Sequence, residues 1–168
     1  MSEAKSLILS PKEVEQKLIR IAYEIYEKNV EVKEIVFAGI LDTGYKLASI
    51  LKKKFEEITP ISASLVKVSL DKLAPTQSEI SLDIDTITLK NKVVILVDDV
   101  LQSGRTLAYS LKPFLNARIE KIEIAVLINR DHPKFPLSAT YTGYSLATTI
   151  KEHVDVVIED ETVEVYLY

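Results

Sequence analysis

The stretch VVILVDDVLQSGRTL, residues 93–107, is the part of the sequence best suited to chemistry. Its apolar run ends at two adjacent carboxylates, Asp98 and Asp99, and a turn of small and polar residues follows at 102–106. Two like charges at the end of a buried strand repel each other unless a partner compensates them. A diol that forms hydrogen bonds with the carboxylates is one such partner, and a divalent cation with oxygen ligands is another.

The turn after the acidic pair has the groups that bind a phosphate. It offers a run of backbone N–H groups, the hydroxyls of Ser103 and Thr106, and the start of the next predicted helix. A phosphate and a diol bound a few residues apart describe a ribose 5-phosphate. The residues alone leave an alternative open, in which the two acids only cap a helix on a surface turn.

Alternating strands and helices position this stretch. Ser10, Pro11 and Glu13 form the start signal of an amphipathic helix that runs to about Lys28. Buried strands are predicted at 34–40, 92–98 and 121–129, and a further strand at 61–70. Further helices are predicted at 44–57 and 103–112, the last of which ends or kinks at Pro113. Residues 71–88 read as a loop with a short ribbon, and 153–168 as two edge strands. The alternation indicates an α/β fold with a doubly wound, mainly parallel sheet.

Composition narrows the class of protein. A chain of 168 residues fits one domain, 1–168, and has no apolar run long enough to span a membrane, so we expect a cytoplasmic protein. There are no cysteines, and the two histidines, His132 and His153, lie far apart, so any metal should bind to oxygen ligands. A net charge of −4 argues against indiscriminate nucleic-acid binding.

The stretch VVILVDDVLQSGRT resembles the 5-phosphoribosyl-1-pyrophosphate (PRPP) signature of type I phosphoribosyltransferases: a hydrophobic strand, two acids and a small-residue phosphate loop. It has neither the Gly-Lys-Ser/Thr of a Walker A loop nor the G-x-G-x-x-G of a dinucleotide site. The chain is most similar to the pyrimidine-operon attenuator/uracil phosphoribosyltransferase branch, over nearly its whole length. This similarity is carried by LIRIAYEIYEKN, FAGILDTGYKLA and IEIAVLINRDHPKFPLSATYTG.

The resemblance implies a type I phosphoribosyltransferase fold with flanking helices and a small hood, and it assigns roles by position. Asp98 and Asp99 would be catalytic residues that contact the ribose hydroxyls and would hold Mg²⁺, the implied cofactor. The residues around the 5-phosphate would be Gln102, Ser103, Gly104, Arg105 and Thr106. The pyrophosphate loop would be Leu41, Asp42, Thr43 and Gly44, and the base would contact Asn129, Arg130, His132 and Tyr144. Residues 71–80 would form a flexible hood over the reacting centre, with Lys72 as its catalytic cation.

The implied reaction transfers ribose 5-phosphate from PRPP to a nucleobase, with a pyrimidine such as uracil as the acceptor. The family usually has an Arg or Lys where this sequence has Thr43, and Asp42 adds a carboxylate beside it. A second hypothesis is therefore a regulator that senses PRPP or a nucleoside monophosphate with little or no turnover. The resemblance further suggests a homodimer or higher homo-oligomer. RNA binding, which occurs in this branch, is not supported by the net charge.

Overall fold

The computed structural model describes residues 4–71, 73–74 and 79–168. A six-stranded sheet contains β2 (Glu34–Ile40), β3 (Ser62–Ser69), β4 (Ser81–Leu82), β5 (Val93–Leu101), β6 (Lys121–Asn129) and β7 (Tyr141–Ser145). A three-stranded sheet contains β1 (Ser6–Leu9), β8 (Val154–Glu159) and β9 (Thr162–Leu167). The helices are α1 (Pro11–Lys28), α2 (Thr43–Ile58), α3 (Arg105–Ser110) and α4 (Lys112–Asn116), and a 3₁₀ helix spans Thr86–Leu89.

The larger sheet has the strand order β4-β3-β2-β5-β6-β7. All neighbouring strands are parallel except β4, which pairs antiparallel with β3. From β2 the chain proceeds outward to β3 on one side, and from β5 it proceeds outward to β6 and β7 on the other. The order therefore reverses between β2 and β5, and the crevice at the carboxyl ends of these strands is where open α/β sheets bind ligands.

Helices cover both faces of this sheet because its inner strands are apolar on both sides. Val93, Ile95 and Val97 of β5 pack in one core cluster with α1 and α2. Val94 and Leu96 of the same strand pack in a second cluster with residues of α3 and α4. The doubly wound, mainly parallel α/β arrangement predicted from the sequence is thus confirmed.

Helix α1 begins where the sequence predicts. The Ser10 hydroxyl accepts a hydrogen bond from the backbone N–H of Glu13, and the Glu13 carboxylate accepts one from the backbone N–H of Ser10, at 3.3 and 2.8 Å. This capping box satisfies two backbone donors at the helix start. The helix predicted to end or kink at Pro113 breaks two residues earlier, at Leu111, because α3 ends at Ser110 and Pro113 lies in the first turn of α4.

The two strands predicted at 153–168 form, but they are not edges of the main sheet. They make a hairpin, β8–β9, whose β9 pairs antiparallel with β1, and the edges of the main sheet are β4 and β7. The hairpin lies on the side of α1 and α2 because Val156, Val163 and Val165 are part of their core cluster. Neither β1 nor β7 was predicted.

The segment predicted as a flexible hood, 71–80, lies partly outside the described residues, and so do Lys72 and Pro75. The ribbon expected after it is present as the short β4, followed by the 3₁₀ helix. Within the described part of the chain, no helix has the length and apolar character needed to cross a membrane.

Candidate functional site

The acidic pair lies near the carboxyl end of β5, which has β2 and β6 as neighbours and continues to Leu101, three residues beyond the predicted strand end at 98. The Asp98 side chain is only 2% exposed, and its Oδ1 accepts a hydrogen bond from the backbone N–H of Asp99 at 3.0 Å. The Oδ1 of Asp99 accepts one from the backbone N–H of Val100 at 2.9 Å. One oxygen of each carboxylate is therefore fixed by the backbone, which holds both groups at the crevice between β2 and β5.

The turn 102–106 follows the last residue of β5 and is fixed by hydrogen bonds to its backbone carbonyls. Gly104 has a φ of +83°, a left-handed conformation that favours glycine, and its carbonyl accepts the backbone N–H of Ala108. The carbonyl of Ser103 accepts the backbone N–H groups of Lys134 and Phe135 at 2.9 and 3.2 Å. These contacts fix the positions of the Ser103 and Gly104 carbonyl groups in the loop.

The helix that follows this turn is shorter than the sequence suggests. Helix α3 has six residues, whereas the sequence predicts a helix of 103–112. A short helix adds little dipole, so anion binding by residues 102–106 would rest on the N–H groups and hydroxyls of the loop itself.

The loop after β2 lies against the acidic pair. A Cβ atom on Gly44 would be 3.0 Å from Asp98 Oδ1 and 3.0 Å from the carbonyl oxygen of Val97. The peptide bond between Leu41 and Asp42 is cis, and the backbone N–H of Leu41 donates to the carbonyl of Val68 at 3.0 Å. Residues 41–44 and the acidic pair, which the sequence assigns to one site, are thus neighbours in space.

A cavity of about 320 Å³ lies at the acidic pair and the turn 102–106. It is lined by Asp98, Asp99, Val100, Leu101, Gln102, Ser103, Gly104, Arg105, Thr106, Leu107, Arg130, His153 and Val154. The two acids and all five residues of the predicted phosphate loop therefore border one space, with room for a phosphorylated sugar. The cavity combines carboxylates for hydroxyl groups with N–H and hydroxyl donors for an anion.

The four residues predicted to contact a base lie at the ends of β6 and β7, but they do not all line the cavity. Arg130 alone among them lines the cavity, where its buried guanidinium donates to Gln102 Oε1 at 3.0 Å. Asn129 Oδ1 accepts the backbone N–H of the residue two positions on, and the His132 ring nitrogen Nε2 lies 3.0 Å from the Thr148 carbonyl oxygen. Tyr144 is exposed on β7, beneath the ammonium group of Lys17 on α1.

Two residues of the cavity wall, His153 and Val154, carry no site prediction from the sequence. Both belong to the start of the β8 segment of the small sheet. The backbone N–H of each of His153 and Tyr168 donates to the carbonyl of the other. The His153 ring also contacts the Tyr168 ring, with centroids 5.7 Å apart. Nothing in the local sequence around His153 signals a site, because only the tertiary fold brings this segment to the end of β5.

The acidic pair also fits the metal that the resemblance implies. Among the residues that the structure describes, no three histidine or acidic side chains form a metal-binding group. Mg²⁺, however, typically takes one or two protein carboxylates together with water and substrate phosphates. Asp98 and Asp99 supply carboxylates of this kind.

The class of protein follows from a comparison with protein families: the model of the phosphoribosyl transferase domain matches residues 6–161. The chain belongs to this family, as a type I phosphoribosyltransferase of the PyrR kind. The bifunctional protein PyrR of Clostridium novyi (strain NT) is 38% identical over 94% of this chain and 93% of its own. That of Macrococcus caseolyticus (strain JCSC5402) is 32% identical over 97% and 98%.

Solved structures agree on the fold. The hypoxanthine phosphoribosyltransferase of Trypanosoma cruzi superposes with a TM-score of 0.75 at 14% identity, covering 95% of each chain. A hypoxanthine-guanine phosphoribosyltransferase of Bacillus anthracis gives a TM-score of 0.67 at 22% identity, covering 86% of this chain and 84% of its own. At these identities the likeness concerns the architecture of the sheet and helices.

Proposed function

We propose that this protein transfers the 5-phosphoribosyl group of PRPP to a ring nitrogen of a nucleobase, with a pyrimidine such as uracil as the acceptor. One observation carries the proposal: Asp98, Asp99 and residues 102–106 line a single cavity at the strand-order reversal, and Gly44 lies against Asp98. The resemblance to the uracil phosphoribosyltransferase branch supports the choice of a pyrimidine.

Each group has a role in this proposal. The carboxylates of Asp98 and Asp99 accept hydrogen bonds from the ribose hydroxyls, and residues 102–106 surround the 5-phosphate. Residues 41–44 face the pyrophosphate, an assignment that follows the resemblance and is supported by the position of Gly44 against Asp98. Mg²⁺ bound with PRPP near Asp98 and Asp99 would neutralise charge on the leaving group.

The reaction needs no nucleophile from the protein. A bond forms between the base nitrogen and ribose C1 while the bond from C1 to the pyrophosphate oxygen breaks, and pyrophosphate leaves with the electron pair. The proton of the attacking nitrogen passes to the departing pyrophosphate. The protein contributes by fixing the ribose and its 5-phosphate in line with the base, and by excluding water from the oxocarbenium-like transition state.

The residues that contact the base and the role of the hood remain predictions from the sequence. We keep Asn129, Arg130, His132 and Tyr144 as candidate base contacts, although the hydrogen bonds of Arg130 favour a positioning role for it. Lys72, outside the described residues, is kept as the candidate catalytic cation of the hood. The proposal also takes over from the sequence a single domain, a cytoplasmic location and a homodimer or higher homo-oligomer.

A second candidate function is a PRPP or nucleotide sensor with little turnover. The observation that favours it is the composition of residues 41–44, where Asp42 is exposed and Thr43 occupies the position usually held by a cation. An RNA-binding form of this sensor would need a free basic surface. The run Lys52–Lys54 does not supply one, because these three lysines form ion pairs with Glu56, Glu161 and Glu15.

Turnover of PRPP distinguishes the two functions. Pyrophosphate release is measured with PRPP, Mg²⁺ and each of uracil, hypoxanthine, guanine and xanthine, and PRPP binding is measured by calorimetry on the same sample. The proposal expects binding together with release that is fastest with uracil. Binding without release for any base would favour the sensor, and the absence of PRPP binding would overturn both.

A further inference from the structure

Arg130 is a buried cation in the cavity wall that joins two distant parts of the chain. The residue is 4% exposed. Its Nε donates to Thr148 Oγ1 at 2.9 Å, and its Nη2 donates to the carbonyl oxygens of Thr149 and Glu152 at 3.3 and 2.6 Å. These bonds hold the guanidinium against the segment that leads into β8, so it lacks the freedom of a surface arginine.

Another donor of the same guanidinium reaches the phosphate loop. Arg130 Nη1 donates to Gln102 Oε1 at 3.0 Å. A guanidinium has only donors, whereas a side-chain amide has one acceptor oxygen and one NH₂ group. The oxygen of the Gln102 amide must therefore face Arg130, and its NH₂ group must face away. Gln102 is exposed and lines the cavity, so this NH₂ group is available to a ligand there.

We propose that Arg130 is a positioning residue that orients the Gln102 amide so that its NH₂ group donates a hydrogen bond to the phosphate of the bound phosphoribosyl ligand. This inference rests on the proposed function, because it takes the anion in the cavity to be the 5-phosphate. It adds a specific donor to the loop and, in place of the base contact that the resemblance implies for Arg130, gives this residue a role on the phosphate side of the ligand through Gln102.

The orientation of the amide matters because a phosphate only accepts hydrogen bonds. An amide turned the other way would point its carbonyl oxygen at the anion and repel it. A hydrogen bond to a charged group is stronger than one between neutral groups. Fixing the NH₂ group in advance also removes the entropy loss of ordering a flexible glutamine when the ligand binds.

Lysine does not reproduce this arrangement. The acceptors around Arg130 are spread over Gln102, Thr148, Thr149 and Glu152, and a planar guanidinium reaches them from three separate nitrogens. The single ammonium nitrogen of a lysine keeps the charge without this geometry. Arg130→Lys therefore separates the orientation of Gln102 from the simple presence of a positive charge.

The test measures the affinity for ribose 5-phosphate and for PRPP by calorimetry in single and double variants. Gln102→Met removes the NH₂ group at similar length, and we expect about tenfold weaker binding. Gln102→Glu keeps an acceptor for Arg130 but adds a negative charge, so it should bind more weakly than Gln102→Met. Both changes are at an exposed side chain, so the fold should be retained, which urea denaturation checks.

The double variant tests the positioning role itself. Arg130→Lys should weaken binding about tenfold in the wild-type background and less than about twofold in the Gln102→Met background, because the amide to be oriented is then gone. A purely structural role would give the same loss in both. Arg118→Lys, at an exposed arginine outside the cavity, is the matched control and should bind as the wild type does.

Other outcomes overturn the inference. Wild-type affinity in both Gln102 variants, or equal losses from Arg130→Lys in both backgrounds, would refute it while leaving the proposed function intact. Failure of the wild type to bind either ligand would refute the proposed function and this inference with it.

Discussion

Gly44 lies so close to Asp98 that a single added carbon would touch the carboxylate. Its absent Cβ would be 3.0 Å from Asp98 Oδ1 and 3.2 Å from Asp98 Cα. Because Gly44 is in the first turn of α2 and Asp98 lies within β5, three residues before its end, this contact sets the distance between the loop 41–44 and the acidic pair. Glycine at this position lets the two halves of the proposed ligand site approach each other.

Gly44→Ala should therefore reduce function. The added methyl group meets backbone atoms of Val97 and Asp98, which move less easily than a flexible side chain. Overpacking of this kind costs about 1–3 kcal/mol, and we expect pyrophosphate release to fall by about tenfold or more. Ser49→Ala, on the exposed side of the same helix, is the control. A folded Gly44→Ala protein with wild-type turnover would show that this spacing does not matter.

Replacing both acids, Asp98→Asn with Asp99→Asn, should weaken PRPP binding and leave the protein folded. Carboxylates accept hydrogen bonds from a diol more strongly than amides do, so we expect a loss of about tenfold or more. Calorimetry gives the affinity and thermal denaturation checks the fold. The control Asp155→Asn, at an exposed acid that pairs with Lys5, should bind PRPP normally. Unchanged affinity in the folded double variant would contradict the proposed role of the acidic pair.

Thr43→Arg should raise the rate of pyrophosphate release. A donor positioned at developing negative charge contributes about 3 kcal/mol, on the order of a hundredfold in rate. The control Ser49→Arg adds the same charge farther along α2 and should have no comparable effect. Steady-state release with each base measures both variants. Rapid wild-type release that Thr43→Arg does not increase would show that the loop already stabilises the leaving group, which counts against the sensor.

The capping box of α1 should make part of the stability depend on pH. The pKa of Glu13 is lowered from its ordinary value of 4.5, because its carboxylate accepts hydrogen bonds at Ser10. A group with a lowered folded-state pKa stabilises the fold above its unfolded pKa, and this contribution is lost as the pH falls through the folded value. Urea denaturation of wild type and Glu13→Gln should therefore differ at pH 7, with the wild type more stable, and converge in acid.

Gln at position 13 can still close the capping box, so the comparison isolates the charge. Glu120→Gln controls for the loss of one negative charge at an exposed position elsewhere. A difference between wild type and Glu13→Gln that is the same at pH 7 and in acid would contradict the interpretation.

The main sheet was predictable because its inner strands are continuous apolar runs. Helices cover these strands on both faces of the sheet, so neither face has to be polar. Strand β7 was missed since YTGYS is short, half polar and interrupted by Gly143, whose missing Cβ would lie 2.6 Å from the Leu127 carbonyl oxygen. Strand β1 was missed because a four-residue segment shows little periodicity and its partner is at the other end of the described chain. Non-local pairing leaves no local signal in the sequence.

The candidate site likewise has a part that the local sequence predicts and a part that only the tertiary fold forms. The acidic pair and the loop 102–106 are only two residues apart in sequence, so their residue types alone indicate a phosphate beside a diol. The part of the cavity wall that His153 and Val154 contribute depends on the packing of the small sheet. The hydrogen bond from Arg130 to Gln102 connects the end of β6 to the phosphate loop. Their contribution emerges only when distant segments are brought together.

The pairing of Ser6 with Leu167 closes almost the whole described chain into one loop. Closing a long loop costs entropy before its contacts form, and proteins rich in such non-local pairings fold slowly. We therefore expect the small sheet to assemble after the parallel sheet and its helices. The cavity takes part of its wall from that sheet, so the ability to hold ligand should appear only at the final stage of folding, later than most of the secondary structure.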